Sequence, residues 1–383
     1  MVKSVSLVEV SYQNQPVGKL AITPNRTCAF EYNLEWISNG FSLSPFYLPL
    51  KSGVMQARLT PFDGLFGVFN DSLPDGWGRL LVDRWLVNQG VDPHGLSVLD
   101  RLSLVGKDGM GALSYAPSQS PGTEVTTHPL HYYARQVEQL IGEEDPGSDS
   151  AGSLEELLKL AGSSGGARPK VLVTIEGEEW LVKFRASVDP EKVGEIEYHY
   201  SQLAKKCGIV MPETRLFERT WFGTRRFDRR GETRIHVHSA AGLLYASHRM
   251  PSLDYSELLK ATMALTRDIN EVARMFRLMV FNVRIGNKDD HAKNFSFVYE
   301  NGSWKLSPAY DLLPSSGFGG QHTTTVNGNG NPTLADCLEV ARATGFPVKR
   351  ANEIIGEVEA ALEPLSVSRI ADPSILPPFL LSN

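Results

Sequence analysis

Residues 287–295, NKDDHAKNF, put Asp289, Asp290, His291 and Asn294 directly after the apolar run MFRLMVFNVRIG. Asp289 and Asn294 are five positions apart, and Asp311 follows Asn294 by 17 within LSPAYDLLP, across a segment, FSFVYENGSWKLSP, that reads as a hairpin. A carboxylate to orient an attacking hydroxyl, then a carboxamide and a second carboxylate to hold a hard cation, is the order that phosphoryl transfer needs. Five is also the interval between the catalytic Asp and the metal-binding Asn of protein kinases. The oxygen donors of Asn294 and Asp311, completed by nucleotide phosphates, suit Mg²⁺ better than zinc. Two plainer readings compete. One makes Asp289, Asp290 and His291 a metal-hydrolase cluster, for which no second His-rich motif supplies further ligands; the other makes the stretch a solvated loop with a helix cap.

Phosphoryl transfer also needs cradled phosphates and a cation on them. Residues 163–170, SSGGARPK, offer Ser163, Ser164, Gly165 and Gly166 as a backbone that can come close to phosphates and aim N–H groups at them, although a Gly-rich turn alone is weak as a signal. Lys183, in WLVKF, shares a strand face with Leu181; taken alone, such a lysine is as readily an edge-strand gatekeeper. Glu197 lies 14 residues further on in a predicted helix, where it is either a partner for Lys183 or a solvated face. The joint order of lysine, Asp, Asn and Asp favours phosphoryl transfer over these separate readings.

The elements that would carry these residues run from β-rich to α-rich. SVSLVEVSY and GKLAITP alternate apolar and polar positions, so residues 4–50 read as short strands. DGWGRLLVDRWLVNQG reads as a helix with Leu80, Leu81, Trp85 and Leu86 on its apolar side and Gly90 as its stop. HYYARQVEQLIGEE is a short amphipathic helix, and DPGSDSAGS (145–153) is a linker candidate. VLVTIEG and EEWLVKF form a predicted hairpin, EIEYHYSQLAKKCGI a helix, and TRLFERTWFGTRRFD one or two strands. From about residue 238, YSELLKATMALTRD, INEVARMFRLMVFNVRIG and LADCLEVARATG carry helical apolar repeats. Residues 315–332, rich in Gly and Asn, read as a long mobile segment.

Composition limits the alternatives. A chain of 383 residues suggests two or three domains, and 38 basic against 44 acidic residues without long runs argue against coating nucleic acid through bulk charge. Cys28, Cys207 and Cys337 are dispersed, which argues against a disulfide framework or a zinc site and for a reducing cytoplasm. No stretch reaches the roughly 18 apolar residues of a membrane span, and the alternating start is unlike a signal peptide, so a soluble protein without membrane partners is expected.

NKDDHAKNFSF followed by LSPAYDLLP resembles the HipA family of bacterial serine/threonine kinases, toxins of toxin–antitoxin modules. FSLSPFYLPL, VFNDSLPDGWGRLLVDRWL and LVGKDGMGALSYAP are similar to that family's N-terminal subdomain; GGARPKVLV, WLVKF, EYHYSQLAKKCGI and RRFDR are similar to its nucleotide-binding half. The resemblance implies an α+β, two-lobed, protein-kinase-like fold with a β-rich N-terminal subdomain (1–117), a kinase N-lobe with Gly-rich loop and hinge (118–230) and a helical C-lobe (231–383). It implies ATP and Mg²⁺ as cofactors, Asp289 as the catalytic residue, Asn294 and Asp311 as metal ligands, and Lys183 with Gly165, Gly166 and Lys170 at the phosphates. Glu197 becomes the structural partner of Lys183, backbone groups around Arg226 and Phe227 meet adenine, and Asp228 reaches the ribose. Ser163 or Ser164 would be autophosphorylated, which disfavours nucleotide binding by like charge. The implied partners are a protein substrate, of which an aminoacyl-tRNA synthetase is the best-known kind, and a helix-turn-helix antitoxin through which DNA is met indirectly. The loop departs from better-known toxins, and Asp290 stands where the family usually has Gly, an extra charge expected to alter hydroxyl or metal access. A kinase of a small molecule or lipid headgroup, and a non-catalytic scaffold for a DNA-binding antitoxin, are the rival readings.

Overall fold

The structure, a computed structural model, describes residues 2–121, 128–142, 151–161, 165–247, 250, 252–317 and 319–366. The chain forms two compact units, one of Met1–Gly194 with Leu216–His238, the other of Glu195–Arg215 with Ser239–Asn383.

The first unit opens with strands β1 (Leu7–Tyr12), β2 (Gln15–Ile22) and β3 (Cys28–Tyr32), helix α1 (Leu34–Asn39) and strand β4 (Met55–Gln56). Helices α2 (Gly67–Asn70), α3 (Gly76–Asn88) and α4 (Val98–Val105) precede β5 (Leu113–Ala116), which completes an antiparallel sheet ordered β4-β3-β2-β1-β5. Alternation decides its faces: Val8 and Val10 are buried while Leu7 and Glu9 face solvent. The β1–β2 turn holds Gln13 and Asn14 at φ +47 and +66°, the left-handed pair whose twist suits a two-residue hairpin. Residues 34–39 depart from the all-strand expectation for 4–50. Asn33 caps them as a helix by accepting from Glu35 N–H, and apolar alternation is too short there to compete.

Helices α5 (Leu130–Gly142) and α6 (Ala151–Ala161) follow, so the last three residues of the expected linker belong to a helix, and residues 145–150 lie outside the described residues. Strands β6 (Lys170–Ile175) and β7 (Glu178–Lys183) pair through a turn with Glu176 and Gly177 at φ +55 and +79°. With β8 (Thr214–Phe217) and β9 (Trp221–Arg225) they form a sheet ordered β6-β7-β9-β8. Trp77, Leu81 and Trp85 of α3 share one apolar core with Leu154, Leu157 and Leu158 of α6 and with Val171, Trp180 and Val182 of the sheet. Each such side chain contributes about 2 kcal/mol on burial. Leu80, read from the sequence as core, is 39% exposed; Trp77, Leu81, Val82, Trp85 and Leu86 make the buried stripe. The unit closes with β10 (Arg229–Arg230), β11 (Thr233–Arg234) and β12 (His236–Ser239).

The second unit holds α7 (Val193–Lys206), α8 (Ala240–Leu244), β13 (Leu253–Asp254), α9 (Tyr255–Thr266) and α10 (Ile269–Ile285). A hairpin of β14 (Ser296–Glu300) and β15 (Ser303–Leu306), strand β16 (Thr324–Thr325), α11 (Leu334–Thr344) and α12 (Val348–Ser366) complete it. The 17-residue α10 is its spine: Val272, Met275, Phe276, Met279 and Val280 enter a core shared with α7, α9, α11 and α12. Asp268 caps its start, and Gly286, at φ +66°, ends it in the left-handed conformation that suits glycine. That stop decides where 287–295 leaves the helix. Among the described residues no helix is long and apolar enough to cross a membrane.

Candidate active site

The second unit carries the Asp, Asn and Asp set. Beyond Gly286 the chain runs over the core edge, and its two adjacent aspartates take opposite fates: Asp289 is exposed and Asp290 is fully buried. Asp290 accepts from Tyr255 Oη at 3.0 Å and from the amides of Thr323 and Thr324 at 2.9 and 3.2 Å, and meets His322 Nδ1 at 2.8 Å. Burial, with the Asp290 carboxylate beside it, pushes the Tyr255 phenol well up, so it stays protonated and donates. Asn282 Nδ2 donates to the same phenol oxygen at 2.9 Å, and Asn287 Nδ2 to Asn282 Oδ1 at 3.1 Å. The expectation that Asp290 adds charge to hydroxyl or metal access is corrected: its carboxylate points inward and fastens the loop.

That anchoring leaves Asp289 held by its backbone. Its N–H donates to Ser315 Oγ at 2.7 Å, and its carbonyl accepts from Asn294 Nδ2 at 2.7 Å. With its amide nitrogen so used, Asn294 presents its Oδ1, a hard oxygen, elsewhere. Asn287 Nδ2 donates to the Asp311 carbonyl at 3.3 Å, and Tyr310 joins the Lys293 carbonyl at 2.7 Å and Ser296 Oγ at 2.6 Å. Asp311 itself sits at φ +58°, a left-handed conformation that Asp tolerates better than most and that marks a constrained position. The loops bearing Asp289, Asn294 and Asp311 are therefore tied to one another by hydrogen bonds. Among the described residues no three of His, Cys, Asp and Glu form a metal-holding cluster. The donor set of Asn294 oxygen and Asp311 carboxylate fits a hard cation shared with phosphates.

Residues 315–332 were expected to be mobile, and the described ones are pinned instead. Thr323 donates twice to the Lys288 carbonyl, Lys288 Nζ reaches the Gly320 carbonyl at 2.6 Å, and β16 runs parallel to β13. Tyr255, His322, Thr323, Thr324 and Tyr310 escaped sequence reasoning because each acts through a partner 14 to 35 residues away. Glu197 lies buried on α7 of this unit.

The first unit carries the glycine-rich loop and its lysines. Lys170 and Lys183 are register partners on β6 and β7. Lys170, 4% exposed, directs Nζ to the Gly165 carbonyl, so it is no solvated lysine. Lys183 Nζ lies 5.7 Å from the Phe222 ring centre, and β7 is an interior strand, which removes the edge-gatekeeper reading. Arg168 Nε is 3.1 Å from both carboxylate oxygens of Asp189, and Phe184 N–H donates to the Pro169 carbonyl at 2.8 Å. Ser163 and Ser164 lie outside the described residues.

At the expected hinge, Arg226 N–H is spent on the Glu179 carbonyl at 2.8 Å, while Phe227 sits half-buried in the turn that follows β9. Asp228 is 1% exposed, with Arg226 Nε and Nη2 at 2.9 and 2.8 Å, Arg229 at 2.7 Å and Gly111 N–H at 2.8 Å. Burial by itself would raise its carboxyl, yet Arg226, Arg229 and the Gly111 amide outweigh that and hold it low. Its oxygens are committed to this network, and a ribose contact would require the network to open. Arg229 and Arg234 also cap the carbonyls of Gly109 and Gly111, stitching GKDGMG to the strand region.

Residues 162–365 match the family described as HipA-like C-terminal domain, and residues 8–116 match the HipA N-terminal domain. A Sinorhizobium fredii protein that carries a kinase name, Y4dM, is 25% identical over 349 residues, covering 84% of this chain and 81% of that one. The serine/threonine-protein kinase toxin HipA of Shewanella oneidensis is 24% identical, covering 78% and 72%. A solved structure from Shewanella oneidensis MR-1, of a toxin–antitoxin complex of HipA, HipB and its operator DNA, matches 96% of this chain and 93% of its own at a TM-score of 0.71 and 20% identity. The α+β, kinase-like fold of HipA type expected from the sequence is thereby borne out.

Proposed function

From the premise that this chain belongs to the HipA family, we propose that it is an ATP- and Mg²⁺-dependent protein serine/threonine kinase acting in the cytoplasm as the toxin of a toxin–antitoxin pair. One observation carries this reading. Asp289 stands exposed on a loop whose neighbour Asp290 is locked inside, and Asn294 and Asp311 are tied to that same loop. The donors around Asp290 offset the cost of burying its carboxylate, and the loop they fasten presents Asp289 to solvent.

In the reaction, Asp289 orients the substrate hydroxyl and accepts its proton as the oxygen attacks the γ-phosphorus. Lys183 and Lys170 neutralise phosphate charge, and the backbone of Gly165 and Gly166, free of side chains, lets the phosphate oxygens come close while the Gly166 N–H stays on Asp75. The Asn294 carboxamide oxygen and the Asp311 carboxylate hold Mg²⁺, which when bound supplies charge neutralisation at the phosphates. The remaining backbone at Phe227 is the adenine contact. The substrate is a protein, with an aminoacyl-tRNA synthetase as the first to examine, and Ser163 or Ser164 is the autophosphorylated position. An antitoxin partner is supported by the HipB and operator DNA found with the Shewanella protein.

The test incubates the full chain with γ-labelled ATP and a cell extract, with and without EDTA, beside Asp289→Ala. Label should enter polypeptide only with wild type and metal. Label confined to a small molecule, or equal labelling by Asp289→Ala, defeats the reading.

A further inference from the structure

Asp75 opens α3 without capping it, since its side chain makes no hydrogen bond to the first amides of that helix. Its Oδ1 accepts instead from Gly166 N–H at 2.5 Å. Two residues on, Trp77 N–H donates to the Gly166 carbonyl at 3.0 Å, and Trp77 Nε1 donates to the Lys170 carbonyl at 3.2 Å. The Gly166 residue is thus bracketed on both sides by Asp75 and Trp77. Between them Gly76 sits at φ +44°, and a Cβ there would overlap the Gly166 carbonyl. Gly166 sits at φ +93°, where a Cβ would come within 2.8 Å of Lys170 Nζ. A Cβ at Gly165 would meet Asp75 Oδ1 at 3.1 Å. Gly76 and Gly165 thus make room for the contact between the start of α3 and the loop, and Gly166 makes room for the Lys170 ammonium. The contact is anchored at depth, because Trp77 shares the core of Val171 and Val182, which flank the two lysines.

We propose that Asp75 is a positioning residue for phosphoryl transfer: by holding the Gly166 amide, it keeps the glycine-rich loop in the shape that receives the nucleotide phosphates. The proposal rests on the kinase reading above. It gives SLPDGW, which lies some 90 residues before the loop, a part in nucleotide binding that acts through the loop. The acceptor, rather than its charge, does this task. Asparagine should therefore replace Asp75, because its carboxamide oxygen still accepts, and alanine should not.

Two readouts on the full-length protein test it, each for wild type, Asp75→Ala, Asp75→Asn and Gly76→Ala. Without nucleotide, amide hydrogen exchange over residues 165–170 should quicken about tenfold in Asp75→Ala, the scale of one hydrogen bond, and stay near wild type in Asp75→Asn. Gly76→Ala should quicken it as well, by pushing the loop away without touching the carboxylate. In calorimetry with Mg²⁺ and ATP, the dissociation constant should rise about tenfold in Asp75→Ala and Gly76→Ala and be restored in Asp75→Asn. Unchanged exchange in Asp75→Ala overturns the clamp. So does tighter ATP binding by Asp75→Ala, which would make the carboxylate a competitor of phosphate. Faster exchange with unchanged ATP affinity overturns the positioning role. Wild type that binds no ATP sinks the kinase reading, while the exchange rates still decide the clamp.

Discussion

The Asp290 carboxylate lies 2.8 Å from His322 Nδ1, both side chains out of solvent, one residue from the exposed Asp289. This contact makes residues 287–295 and 320–325 a single piece of structure, because Thr323 and Thr324 amides close on the same carboxylate.

Replacing Asp290 with Ala should cost more than about 3 kcal/mol, since Tyr255, His322 and two amides lose their acceptor inside the core. Urea unfolding measures this. A loss under about 1 kcal/mol would show that water or a neighbour can take over these bonds.

Asp289→Ala should behave oppositely. Its side chain is exposed, so stability should stay within about 0.5 kcal/mol, while transfer of labelled phosphate is lost. The pair of variants separates a residue that anchors from one that reacts, and equal effects on both measurements would erase that distinction.

Asp228→Asn should destabilise the protein by about 3–5 kcal/mol, because Arg229 would lose the carboxylate it is bonded to and Arg226 would keep only the more distant Glu179, 3.9 Å away. Normal stability with a loss of ATP affinity would instead restore the ribose role read from the sequence.

Stability should fall in mild acid through His236. Its Nε2 meets the Leu43 carbonyl at 2.9 Å, and burial pushes its pKa down to about 4. Above about pH 6.5 the imidazole is neutral folded or unfolded, and no effect is expected. Between about 6.5 and 4 the unfolded chain takes up a proton that the folded one refuses, so stability drops by about 3 kcal/mol across that window. The loss from Asp228 comes lower. Its carboxyl is held down in the fold, so its contribution persists above the ordinary Asp value and fails only in stronger acid. Urea midpoints at pH 7, 5.5 and 4.5 should show the first decline in wild type and a flatter profile in His236→Gln.

Local pattern was enough to read much of this chain. The 17-residue α10 with Asp268 and Gly286 at its ends, the hairpins turned by Glu176-Gly177 and Asn301-Gly302, and the intervals separating Asp289, Asn294 and Asp311 are all short-range properties of side-chain type and order. Tertiary structure decided which of two adjacent aspartates is presented and which is buried, because that depends on Tyr255, His322 and Thr324 arriving from distant positions. It also placed Asp228 at the centre of an arginine network and Asp75 against the Gly166 amide. A carboxylate looks the same in any sequence. What it does depends on which donors the fold brings within about 3 Å, and those come from chain segments that no local pattern connects.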